Sequence, residues 1–133
     1  MLNSFRFHHI GYVTNSIVDT SVIYVSAGYC MNHIIVDAIQ QVKVCFLLKD
    51  NNPCIELIEP IDENSSVNKL LKKNGVFPYH LCYEVDNIDD AFNALLEMNY
   101  IPLFRPIEAV ALDNKQICYL YKKEVGFIEI VNK

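Results

Sequence analysis

No apolar run in this 133-residue chain approaches the roughly 18 residues that a membrane-spanning helix needs. The opening residues, Met1-Leu2-Asn3-Ser4-Phe5-Arg6-Phe7-His8-His9, hold no apolar stretch of the signal-peptide kind, so a cytoplasmic protein is expected. Basic residues are in deficit, with 11 Lys and Arg against 16 Asp and Glu and a net charge of −5. Nucleic acid is not expected as a partner, because its binding rests on a basic surface. The five cysteines (Cys30, Cys45, Cys54, Cys82 and Cys118) are odd in number and form no C-x-x-C pair. Free buried thiols are expected in place of disulfides or a structural zinc site. Low-complexity sequence is also missing. What is present is a core: hydrophobic residues make up 52% of the chain and charged residues 20%. That suits one compact domain, or two very small modules sharing a core.

The chain repeats itself. Residues 8–29 laid over 79–100, an offset of 71, give five identities in 22 pairs: His9/His80, Tyr12/Tyr83, Ile17/Ile88, Asp19/Asp90 and Tyr29/Tyr100. Residues 44–58 laid over 117–131, an offset of 73, give five in 15: Cys45/Cys118, Leu47/Leu120, Lys49/Lys122, Ile55/Ile128 and Glu56/Glu129. One short gap reconciles the two offsets, and order, spacing and apolar pattern agree, which points to duplication.

Local signals predict the same module twice. Residues 7–14 alternate as a strand does. Asn15 or Ser16 is suited to cap the helix that follows, and Asp86 is the corresponding cap in the second copy. Ile88, Ala91, Phe92, Leu95 and Leu96 form a helical stripe. Strands are expected at about 32–37, 41–49 and 53–59, and again at about 101–108, 115–122 and 126–132, with a turn at Asp50-Asn51-Asn52-Pro53. Each half therefore reads βαβββ: residues 5–60 and 77–133, within one domain spanning 1–133. The connector, 61–76, is expected to be helical, capped by Ser65 and stopped by Gly75. The fold class is α+β.

Strand alternation then sorts side chains by face. Ile10 and Tyr12 should pack on the first helix, which puts His9 on the other face of the sheet. Leu81, Tyr83 and Val85 likewise oppose His80. In the last strand of each half, Ile55/Leu57 and Ile128/Ile130 face the helices, so Glu56 and Glu129 share the histidines' side. A pseudo-twofold pair of modules would bring these four together in a cavity lined by a curved mixed sheet. Four such groups need a central cation, and a His₂Glu₂ set suits one divalent ion such as Zn, Ni, Co or Mn. His8 and His33 have no repeat partner and are expected to be structural or solvated. Glu59 lies on the opposite face from Glu56, and Glu84 is matched by Val13, so both read as structural or rim residues.

Paired modules with this quartet resemble the vicinal oxygen chelate superfamily, and the methylmalonyl-CoA epimerase family within it above all. The resemblance runs along nearly the whole chain. It rests on His9-Ile10-Gly11, Val42-Lys43-Val44-Cys45-Phe46-Leu47, Ile55-Glu56-Leu57-Ile58-Glu59-Pro60, the connector Ser66 to Gly75, His80 to Ile88, and Gly126-Phe127-Ile128-Glu129-Ile130. It implies metal ligands at His9, Glu56, His80 and Glu129, and a 1,2-proton shift beside a carbonyl. In the epimerases two carboxylates flank the reacting carbon. One falls on Glu129 and the other on Ile39, which carries no proton; Asp37 shares its strand parity and is the candidate substitute. The family's glycine-rich stretch before the last two strands is replaced by Pro106-Ile107-Glu108-Ala109-Val110-Ala111-Leu112-Asp113.

The resemblance implies a small-molecule substrate, an acyl-CoA or other thioester, and a homodimer. Lys69, Lys72, Lys73 and Arg105 are the candidate partners of coenzyme A phosphates, against a solvated helix face as the plainer account of the lysines. Two alternatives stand beside the epimerase. One is a lactoylglutathione lyase of glyoxalase I type, whose quartet is the same. The other is a non-catalytic binding module, which retention of all four ligands opposes.

Overall fold

The computed structural model describes residues 2–133. Among these lie ten strands and three α-helices, and the class is α+β as expected. The chain separates into two compact units, one of His9–Tyr79 and one of His80–Lys133 with residues 2–8.

In the first unit the order is β1 (Arg6–Val13, from His9 on), α1 (Ile17–Ser26), β2 (Cys30–Met31), β3 (Ile35–Asp37), β4 (Val42–Leu48), β5 (Cys54–Pro60) and α2 (Ser66–Asn74). Strand β1 runs parallel to β5, with Gly11 beside Glu56. Strand β4 is antiparallel to β5 and sets Phe46 opposite Glu56. Strands β2 and β3 both pair with β4. Ile17, Cys45, Leu47, Ile55 and Leu57 close the core under α1.

The second unit repeats the pattern with β6 (Phe77–Val85, from His80 on), α3 (Ile88–Glu97), β7 (Ile101–Pro102), β8 (Ile107–Ala109), a 3-10 turn at Val110–Leu112, β9 (Lys115–Lys122) and β10 (Gly126–Asn132). Cys82 lies beside Glu129 in the parallel β6–β10 pair, and Tyr119 lies opposite it in the antiparallel β9–β10 pair. Ile88, Ala91, Phe92 and Leu95 of α3 pack on Cys118, Leu120, Ile128 and Ile130. The strand predicted at 32–37 forms only at its end, as β3, with β2 lying just before it, and the strand predicted at 101–108 is split into β7 and β8. Pro102 and Pro106 bracket this break, and proline cannot donate to a ladder.

The repeat extends to bonds that residue identity hides. Ser16 Oγ accepts from Asp19 N–H at 3.1 Å, and Asn87 Oδ1 accepts from Asp90 N–H at 3.0 Å. The cap of α3 is therefore Asn87 and not Asp86. Asp86 is held otherwise: its N–H donates to Ser4 Oγ at 2.9 Å, and its carboxylate meets the Arg6 guanidinium at 2.9 Å. Arg6 also holds Glu84, at 3.1 Å. At the start of each helix a side chain from the last strand accepts the first N–H. Glu59 takes that of Ile17 at 2.9 Å, and Asn132 that of Ile88 at 2.8 Å.

The helix ends match too. Gly28 and Asn99 each turn the chain with positive φ, 98° and 66°. Lys49 Nζ then donates to Ala27 C=O at 2.7 Å while lying over the Tyr29 ring. Lys122 Nζ does the same to Met98 C=O, at 3.0 Å, over Tyr100. A cation at the negative end of a helix dipole stabilises it, and here it also ties the strand to the helix.

The connector is the expected helix. Gly75, at φ 74°, ends it with an N–H···O=C bond to Leu71 of 2.8 Å. Ser65 occupies the cap position, but its side chain makes no cap bond and its buried hydroxyl has no hydrogen-bond partner. Two serines at cap positions thus predict opposite outcomes. Ser16→Ala should lower unfolding free energy by about 1 kcal/mol, the usual worth of an N-cap. Ser65→Ala should leave it unchanged or raise it, since an unbonded buried hydroxyl only costs. Urea denaturation of the two variants measures both.

Candidate functional site

The alternation of β1 and β5 carries His9 and Glu56 to the face away from α1, as predicted. His9 is fully buried and Glu56 is 4% exposed. Their polar atoms meet, with His9 Nε2 3.2 Å from Glu56 Oε1. Phe46, opposite Glu56 on β4, sets its ring edge-on to His9, with centroids 5.3 Å apart. Val42, Val44 and Ile58, buried on the same face, make the rest of this wall apolar.

The second unit carries the matching pair. His80 and Glu129 are buried, and His80 Nε2 stands 3.1 Å from Glu129 Oε1. Tyr119 takes the place of Phe46, edge-on to His80 at 5.0 Å. Phe104 backs the tyrosine ring at 5.7 Å. Ile117 and Val131 complete this wall.

Each unit thus buries one imidazole nitrogen and one carboxylate oxygen side by side in an apolar wall. Burying a carboxylate is costly unless a charge or donor answers it. A separation of 3.1–3.2 Å also lets both atoms reach one ion at bond lengths of about 2.0–2.2 Å. The donors fit a borderline divalent cation in type and spacing.

The other predicted residues fall elsewhere. Asp37 lies on β3 opposite Val42, on the face that carries Phe46 and Glu56. It is buried, and its two carboxylate oxygens accept from Gln40 N–H at 3.0 Å and Gln40 Nε2 at 2.8 Å. These bonds hold the turn into β4, where Gln41 has φ 56°. Lys69, Lys72 and Lys73 are exposed along α2, and Arg105 is exposed before β8. Glu59 and Glu84 serve the helix start and Arg6 as described above. His33 is exposed and His8 half-buried.

Residue-by-residue reading of the sequence did not single out Phe46 and Tyr119. The signal for them was the repeat, which aligns the two on the strand before each glutamate.

The five thiols are free, though not uniformly buried: Cys45, Cys82 and Cys118 are buried, Cys54 is half-buried and Cys30 is exposed. Burial, then the nearby Glu129 charge, pushes the Cys118 thiol up to about 12. Burial raises Cys45 as well. A neutral thiol is a poor nucleophile. Iodoacetamide at pH 8 should therefore alkylate Cys30 on the folded protein and spare Cys45 and Cys118, as read by peptide mass spectrometry; modification of Cys118 at the rate of Cys30 would contradict this.

Comparisons with known proteins bear on the same residues. The sequence pattern of the Glyoxalase/Bleomycin resistance protein/Dioxygenase superfamily matches residues 8–119. The mitochondrial methylmalonyl-CoA epimerase of Dictyostelium discoideum is 32% identical over 78 residues, which cover 56% of this chain and 45% of that protein. The chain thus spans under half the length of this relative. Among solved structures, a hypothetical protein of Bacillus halodurans is 25% identical with a TM-score of 0.87, over 98% of this chain and 96% of that one. A Streptomyces coelicolor methylmalonyl-CoA epimerase variant in complex with 2-nitronate-propionyl-CoA is 24% identical with a TM-score of 0.84, each chain covered to 96%. No described helix is long and apolar enough to cross a membrane.

Proposed function

The chain belongs to the Glyoxalase/Bleomycin resistance protein/Dioxygenase superfamily, and on that premise we propose that it is an epimerase that shifts the α-proton of an acyl-CoA thioester such as methylmalonyl-CoA. The observation that carries this reading is the pairing of a buried imidazole with a buried carboxylate in each unit, at 3.2 and 3.1 Å. It is supported by the likeness to a methylmalonyl-CoA epimerase.

In this proposal His9, Glu56, His80 and Glu129 together hold one divalent ion (Zn, Ni, Co or Mn). When bound, the ion supplies a Lewis acid that draws negative charge toward the substrate's carbonyl oxygen. The chain does the rest. The apolar walls around each pair exclude water, which strengthens every charge interaction inside. The Glu129 carboxylate takes the α-proton. As that C–H bond breaks, its electron pair moves into the carbonyl and leaves an enolate. Return of the proton to the same carbon restores the thioester.

Inversion requires return on the opposite face. Asp37 is the proposed second carrier, and its use requires the two Gln40 bonds to part. Asp37→Asn should then abolish epimerisation while solvent deuterium still enters the substrate. Unchanged epimerisation would assign the return to another group.

The engagement of Asp37 by Gln40 favours one second reading, a glyoxalase I-type lyase that needs a single proton carrier. Turnover of the glutathione hemithioacetal of methylglyoxal, with no deuterium exchange into methylmalonyl-CoA, would decide for it. A homodimer belongs to the same proposal, and sedimentation analysis checks it.

Metal content tests the site directly. Elemental analysis of protein purified without chelators should find about one equivalent of a first-row divalent metal. His80→Ala and Glu129→Gln should each lower that content at least tenfold, in line with loss of a ligand from a four-donor site. Full metal in both variants would sink the assignment.

A further inference from the structure

The two modules differ most in the outward side of their first helices. Helix α1 shows water Val18, Val22, Ile23 and Val25, which are 59, 61, 68 and 47% exposed. At the repeat offset of 71, the first three stand where α3 has Asp89, Asn93 and Ala94. Each helix already packs its inner side on its own core, led by Ile17 in one and Ile88 in the other. The outward side of α3 is the polar one that solvent calls for, and that of α1 is apolar with no demand from the core beneath it. The patch continues on the sheet. Met31 lies opposite Leu47, which packs under α1. Val36 lies opposite Lys43, two residues before Cys45 of the same core. Alternation therefore puts Met31 and Val36 on the α1 side of the sheet, and both are exposed.

We propose that this face is the contact between two copies of the chain, with α1 packed antiparallel on α1 across a twofold axis. This rests on the homodimer reading above and names its surface. The six side chains expose roughly 500 Å² of apolar area, which matches the apolar share of the ~800 Å² that each partner of a standard homodimer buries. It also reaches the size at which an apolar patch on a monomer marks a contact site. Val18, Val22 and Val25, spaced i, i+4 and i+7, form a ridge of β-branched side chains that a second helix can straddle. The charges suit a second copy in particular. Asp19, exposed in the first turn, is the one charged residue of α1. Lys49, also exposed, sits at the other end on Ala27 C=O. Antiparallel packing brings Asp19 of each copy beside the Lys49 end of the other, and the twofold axis makes that contact twice.

Sedimentation velocity tests this on the wild type and on Val18→Asp/Val22→Asn, which gives α1 the residues that α3 carries at those places. The wild type should be dimeric, and the double variant should associate about a hundredfold more weakly or worse, with an unchanged far-UV circular dichroism spectrum. Ile23→Lys, at the most exposed of the four positions, should weaken the dimer as well, and it carries the test if the double variant does not fold. A dimer as tight as wild type in the folded variants would overturn this inference and leave the homodimer reading standing. A monomeric wild type would overturn both. Asn93→Lys places a charge at the matching position of α3 and should leave the dimer intact; dissociation by Asn93→Lys alone would move the contact to α3 and overturn the inference.

Discussion

A carboxylate in the middle of a buried strand is the constraint around which each half of this protein is arranged. Glu56 and Glu129 stand where a sheet would ordinarily place valine or isoleucine, flanked by Ile55 and Leu57 in one case and by Ile128 and Ile130 in the other. Their neighbours on the strand point into the helix-covered core, so the glutamates cannot turn outward without exposing those neighbours. The histidine of the parallel strand meets each carboxylate, and the aromatic ring of the antiparallel strand walls the pair off. The site chemistry and the core packing are thus two faces of one strand register. A slip of one residue would lose both.

Duplication made much of this legible. The four ligand candidates were chosen by repeat and by alternation, and the structure pairs them within each half as the strand faces require. Both signals are carried by the kind of residue at each position, so a sequence displays them. The helices of both modules were legible for the same reason. The caps were less so, because Asp86 and Asn87 are both good caps. What separates them is Arg6 and Ser4, eighty residues away in sequence, which claim Asp86. The split strands were also hidden. Runs such as Ile34-Ile35-Val36 are β-rich throughout, and only the ladder shows where pairing stops.

Asp37 illustrates a different limit. Parity assigned it correctly to the face of Glu56, but parity does not say which neighbour will occupy a carboxylate. Gln40, three residues on, supplies both a backbone and a side-chain donor, and a local bond of this kind forms at little entropic cost. Ser65 is the converse case. It has the residue type and the position of a cap, yet its hydroxyl makes no bond to the helix it precedes.

The bonds from Glu59 to Ile17 and from Asn132 to Ile88 span 42 and 44 residues. In each half, the start of the helix waits for the end of the last strand. The first N–H of the helix is answered only once the module has closed, so that bond carries a loop-closure cost set by most of the module's length. A copy made in this way carries its own clasp. Between the two clasps the chain runs through a single helix, Ser66–Asn74.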